Sequence, residues 1–224
     1  MHTKIMKRLQ RHLGLSVFRV LARPLADAAS CNAHVPHGVH CRLLAEDELL
    51  SHCWDRELEL SEKSARAAFA RGDACVGALE GGRLAGYAWY AFGATPESNG
   101  VWVDFAPRLR YSYKHFVRPQ DRGRRIAAGL LPAGDALCRE RGRSHCLTLI
   151  HTHNRASIRA SERAGARTAG YAAYLKVFGR VLCWYSPGAK GLGLRFFRPQ
   201  SNFRRFSFAM RRFASMLTAT TSRN

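Results

Sequence analysis

The feature that most constrains this chain is a junction near its middle. Tyr111 to Val117 is a β-branched and aromatic run that meets Pro119 and then the turn Asp121-Arg122-Gly123-Arg124-Arg125, after which apolar residues recur at Ile126, Leu130, Ala133 and Leu137. That succession predicts a strand, a tight loop and a helix. Such a junction aims several unpaired backbone N–H groups and the positive end of the helix dipole at one spot. A pyrophosphate can sit there, and Arg122, Arg124 and Arg125 thicken the positive field around it.

A second block follows one strand later. The apolar run Cys146 to Ile150 leads into Asn154-Arg155-Ala156-Ser157-Ile158-Arg159-Ala160-Ser161-Glu162-Arg163-Ala164-Gly165-Ala166. Asparagine is placed to start that helix and glycine to end it.

Together the two blocks resemble the GNAT superfamily of N-acyltransferases. Its phosphate loop follows Arg/Gln-x-x-Gly-x-Gly/Ala after a Val-x-Pro strand end, matched here by Val117-Arg118-Pro119 and Arg122-Gly123-Arg124-Arg125-Ile126-Ala127, and its second segment reads Asn-x-x-Ala/Ser…Gly-Phe. Three positions depart from the pattern: Arg125 replaces the middle glycine, Ser161 stands where many members carry a tyrosine, and Ala166 replaces the phenylalanine.

The resemblance covers residues 39 to 185. It implies an α/β (α+β) GNAT fold, a mixed central sheet of about seven strands flanked by helices and splayed at its two central strands. It also implies acetyl-CoA, or another acyl-CoA, as co-substrate, with direct attack by a primary amine in a ternary complex. By the same resemblance the cofactor is held by Phe116, Val117, Arg122, Gly123, Arg124, Arg125, Ile126, Ala127, Asn154 and Ser157. The amide of Val117 polarises the thioester carbonyl, and Ser161 takes the place of the residue that protonates the departing thiolate. Tyr174 is another phenol that could serve there.

The general base is sought among titratable residues near the junction. His115 and His151 are the first choices, with His153 beside them, because an ordinary imidazole pKa of about 6.5 suits proton acceptance at physiological pH. Alternation along the strand predicts Tyr111, Tyr113 and His115 on one face. Glu57 and Asp104 are alternatives. Trp54, Trp89, Tyr90, Trp102, Tyr111 and Tyr113 offer an aromatic lining suited to a small-molecule or sugar-type amine acceptor.

Size and charge complete the reading. At 224 residues and 46% apolar, the chain is expected to form one domain, residues 39–186, between a basic N-terminal extension, 1–38, and a basic Phe/Arg-rich tail, 187–224. The seven scattered cysteines, with no leader and no Cys-x-x-Cys pair, point to reduced thiols and a cytoplasmic protein. The run Cys31, His34, His37, His40, Cys41 has a spacing that suits a loop, so no metal site is expected.

No acidic residue precedes Asp27 or follows Glu162, and the net charge is +20. Phe203, Phe206, Met210, Phe213 and Leu217 recur at helical spacing beside Arg204, Arg205, Arg211 and Arg212. That pattern raises peripheral contact with an anionic inner-membrane surface through the tail. The rival to an enzyme is a basic binding module on a degenerate GNAT scaffold, docking on anionic membrane or, with less support, on nucleic acid.

Overall fold

The computed structural model describes residues 14–25, 36–98 and 100–199. In chain order the elements are β1 (Leu15–Pro24), β2 (Val39–Leu44), α1 (Glu46–Leu50), α2 (Glu62–Arg71), β3 (Ala74–Glu80), β4 (Arg83–Ala91), β5 (Thr95–Ser98), β6 (Val101–Asp104), β7 (Leu109–Val117), α3 (Ile126–Glu140), β8 (His145–His151), α4 (Arg155–Arg163), β9 (Arg167–Val177), β10 (Arg180–Tyr185), α5 (Pro187–Gly191) and β11 (Arg195–Phe197). The Phe/Arg segment beyond residue 200 and the cysteine and histidine at 31 and 34 lie outside the described residues.

Local chemistry explains the element ends. The β3–β4 hairpin turns through Gly81 and Gly82, both at positive φ, 56° and 81°, which a two-residue turn matching strand twist requires. α2 begins where the Ser61 hydroxyl accepts from the N–H of Ser64 and stops at Gly72 in the left-handed region.

The main sheet has eight strands in the order β10-β9-β1-β8-β7-β4-β3-β2. Every pairing is antiparallel except β7 with β8. The eighth strand is β1, which the sequence reading assigns to an extension. It instead lies between β8 and β9, with Phe18 opposite both His151 and Ala172, and Phe18, Val20 and Leu21 are buried there. Its apolar residues need cover: Phe18 and Val20 find it beneath the small sheet and Leu21 beneath α4.

The tail boundary moves in the same way. β11 pairs with β6 in a three-stranded sheet, β11-β6-β5, and Phe196 and Leu194 are buried in the core. On one face of the main sheet lie α3 and α4, over Tyr90, Ile126 and Leu130 and over Leu21, Ile150 and Ile158. On the other lie α1 and α2, over Leu44, Tyr87 and Trp89, and the small sheet, over Phe18, Tyr111 and Tyr174. Among the described residues no helix is long and apolar enough to cross a membrane.

A candidate acyl-CoA site in the opening between β7 and β8

β7 and β8 pair only from Leu109, Arg110 and Tyr111 to His145, Cys146 and Leu147, although β7 runs on to Val117 and β8 to His151. Past Tyr111 the two parallel strands part, and a wedge opens between them.

The β4–β7 ladder fixes what lines that wedge. The N–H of Arg118 donates to the carbonyl of Ala85 at 3.0 Å, and Gly86 and Ala88 lie opposite Val117 and His115. Bonded and non-bonded pairs alternate in an antiparallel ladder. Phe116 is therefore tied to Tyr87, while the N–H and C=O groups of His115 and Val117 point away from β4 into the opening. The carbonyl of Val117 accepts from Nε of Arg122 at 3.3 Å. Phe116, expected among the cofactor residues, turns its backbone to β4 and buries its ring against Tyr87 at 5.4 Å.

The register of β7 slips between Trp89 and Tyr90, leaving Tyr113 as an extra residue. This bulge corrects the expected grouping of side chains. Tyr111 and Tyr113 contact each other at 6.0 Å, but His115 joins Ser112 on the α3 face, with Ser112 Oγ and His115 Nε2 2.5 Å apart.

The loop after β7 is pinned from beneath. Arg118 donates through Nε to the carbonyl of Leu84 at 2.7 Å and through Nη1 to Glu57 at 2.9 Å, and it also pairs with Asp55. Asp121 is buried and takes both Arg83, at 2.8 Å, and Arg124, at 2.6 Å. The Arg83 guanidinium, followed by Arg124, holds the Asp121 carboxyl below its ordinary range. Arg124 also forks onto Glu80 at 2.5 Å, so its charge is spent inside the loop. Of the three arginines expected to face an anion, Arg122 and Arg125 remain exposed.

Gly123 and Arg125 both have positive φ, 82° and 61°, and Arg125 is the residue from which α3 departs, with Ile126 buried and Ala127 exposed behind it. Among the described residues no backbone carbonyl takes the N–H of Gly123, Arg124 or Arg125. These groups form the concave donor set that a diphosphate needs.

α4 closes the other side. Asn154 accepts the N–H of Ser157 on its side-chain oxygen at 3.2 Å, so it caps the helix. Ile158 points into the sheet. With 3.6 residues per turn, Asn154, Ser157 and Ser161 share one flank of α4. Arg155, Arg159 and Glu162 share the opposite flank, where they line a cavity with Arg19 of β1.

Neither histidine is a good base. Burial, then the charges of Arg110 and Arg23, push His115 down to about 4, although its ring still opens on the wedge. Burial and the neighbouring His153 push His151 down to about 4 as well, and its ring stacks on Phe18 at 4.4 Å. Glu57 is bound to Arg118 and Gln120, and Asp104 to Arg195 at 2.9 Å.

A better group carries no motif in the sequence. On β5 of the small sheet, Glu97 accepts from the hydroxyl of Tyr174 at 2.8 Å and from Ser98 at 2.5 Å. Burial raises its carboxyl above the ordinary range, and its charge in turn acts on Tyr111, the last paired residue of β7. Burial pushes the Tyr174 phenol up to about 12, so it stays protonated and donates. A carboxylate held by a phenol beside a splayed strand pair can accept a proton from an incoming amine. Its only trace in the sequence is an acidic residue in a loop.

No protein-family model and no curated protein matches the chain. Among solved structures, it is similar to a functionally unknown conserved protein from Staphylococcus epidermidis, with TM-score 0.52 and 7% identity over 77% of this chain and 66% of that one. It is also similar to a GCN5-related N-acetyltransferase from Sphaerobacter thermophilus, with TM-score 0.48 and 15% identity over 82% and 56%. An aminoglycoside acetyltransferase from an uncultured soil metagenomic sample, solved with trehalose, gives TM-score 0.42 and 15% identity over 56% and 86%. The chain thus spans 66% and 56% of the length of the first two. The fold is the one that the GNAT resemblance of the sequence implies: a large mixed sheet flanked by helices, with one parallel pair that splays beside a strand–loop–helix junction.

Proposed function

We propose that the protein transfers an acyl group, acetyl by preference, from acyl-CoA to the primary amine of a small molecule or sugar. The main-chain edge of β7 from His115 to Val117, which β8 no longer pairs and which runs straight into the donor-rich loop at Gly123 to Arg125, carries this reading. An extended pantetheine arm can pair with that edge as an added strand while its diphosphate rests on the loop.

The amide of Val117 then faces the thioester oxygen, where negative charge builds as the amine attacks. Glu97 accepts the proton lost from the attacking nitrogen, with Tyr174 holding the carboxylate in place. Ser161 and Asn154, on the inner flank of α4, face the sulfur end of the donor. Ser161 serves as a water relay to the departing thiolate, a good leaving group near neutral pH.

Calorimetry with acetyl-CoA, followed by thiol release against a panel of amines, tests the proposal. Arg122→Glu sets a carboxylate against the diphosphate and is expected to abolish affinity for acetyl-CoA. Unchanged affinity in that variant would mean that the loop has another role.

The alternative, a basic binding module on the same scaffold, draws on the substitutions Arg125, Ser161 and Ala166 and on the excess of positive charge. It requires that acetyl-CoA not bind at all.

A further inference from the structure

On the outer flank of α4, away from the wedge, two cavities share one wall, Tyr171. The first, of about 370 Å³, is lined by Arg19, Arg155, Arg159, Glu162 and Tyr171. The second, of about 560 Å³, is lined by Val17, Tyr171, Ala173 and Trp184 among others. Glu162 is the only acid in either lining, and Arg19 binds it at 2.8 Å. Arg155 and Arg159 meet no acceptor among the described residues.

The second cavity continues along a sheet face that no other described element covers. Val181, Cys183 and Tyr185 of β10 pack into the core, so Leu182 and Trp184 turn outward, 48% and 52% exposed. Strand pairing sets them in apolar rows, Leu15-Leu175-Leu182 and Val17-Ala173-Trp184, and Tyr171 follows at 52% exposed. At the far end the β9–β10 turn presents Phe178, fully exposed at a φ of 45°, between Lys176 and Arg180.

We propose that this face docks on an anionic phospholipid bilayer. Arg155 and Arg159 take headgroup phosphates, and Phe178, Leu182 and Trp184 lie at the boundary of the acyl chains. Charge and chemistry choose this occupant. No acidic residue follows Glu162, so the face is cationic around an apolar strip, the pattern that binds at a negative interface. Aromatic residues with polar handles favour that interfacial depth. A second copy seated symmetrically would bring these cations against each other. A single nucleic-acid strand would stack on Tyr171 and Trp184 but leave the leucine and valine rows wet.

The test uses the full chain and vesicles of equal parts phosphatidylglycerol and phosphatidylcholine, with pure phosphatidylcholine vesicles as control. Phe178→Ser with Trp184→Ser keeps the net charge and is expected to weaken binding about tenfold or more, leaving thermal unfolding and acetyl-CoA affinity as they were. Arg155→Glu with Arg159→Glu is expected to weaken it about twentyfold or more. In the unaltered protein, the fluorescence of Trp184, read as the difference from Trp184→Ser, should be quenched by brominated lipid.

Vesicle binding untouched by Phe178→Ser with Trp184→Ser would overturn the proposal, because the basic chain ends would then account for it. So would a single-stranded oligonucleotide held more tightly than vesicles through Trp184, or a dimer in sedimentation that Trp184→Ser dissolves.

Discussion

At Arg125 the backbone sits at a φ of 61°, a conformation that costs an L-residue about 1–2 kcal/mol and glycine almost nothing. Arg125→Gly should therefore raise stability by up to about 1 kcal/mol in a urea titration, and it should tighten acetyl-CoA by letting the diphosphate approach the main chain. Glu97→Gln is expected to lower kcat about a hundredfold or more with little change in KM. If Glu97 takes the proton, the kcat profile of the unaltered protein should show an acid limb above the ordinary carboxylate range, since burial raises that carboxyl, and the limb should vanish in this variant. An unchanged profile would remove Glu97 from the proton path. Asp135 is a different case. It lies fully buried on α3, where Arg23 forks onto it at 2.6 and 2.9 Å and Arg110 joins from β7, itself stacked on Tyr90 at 4.1 Å. Asp135→Asn leaves two buried guanidinium groups short of their counter-charge and should cost about 3 kcal/mol or more, read as a fall in the urea midpoint.

At the level of elements, the strand–loop–helix junction and the capped second helix were legible because each carries local chemistry: a proline, a left-handed turn, an asparagine cap. β1 was not. Its residues alternate as a strand should, but alternation says nothing about which neighbours a strand finds, and those neighbours, β8 and β9, lie more than a hundred residues away. The bulge at Tyr113 was equally silent, since one inserted residue flips His115 to the other face without any change of composition. Glu97 escaped notice for the same reason, as its partner Tyr174 is 77 positions distant. A truncation removing residues 1–24 puts β1 to the test. If those residues were an appendage, the remainder would fold. With β1 between β8 and β9, the truncated chain should lose cooperative unfolding and the near-ultraviolet dichroism of its packed aromatics.

Over the whole molecule, two imidazoles, half-buried His151 and solvent-facing His115, set the response to acid. His115 and His151 both titrate near 4 when folded and near 6.5 when unfolded. Between those values the unfolded chain binds more protons, so stability rises with pH there and is lost progressively as pH falls from about 6.5 toward 4. Glu97 works the other way: its raised carboxyl holds a proton in the folded state longer than in the unfolded one, and its contribution fades as pH climbs past the ordinary carboxylate range. The histidines outnumber it, so denaturant midpoints measured from pH 7 down to 4 should fall. Replacing His151 with Phe, which keeps the stack on Phe18, should flatten that fall.

The placement of β1 also bears on how the protein comes into being. The strand is made before either edge that it must join: β8 follows only after the loop and α3, and β9 only after α4 as well. Until then its apolar residues have nowhere to go, and a nascent chain in this condition is a natural client for a chaperone. A circularly permuted version that moves Leu15–Pro24 behind β9 would let those edges meet their partner at once, and it should refold faster than the parent at equal stability.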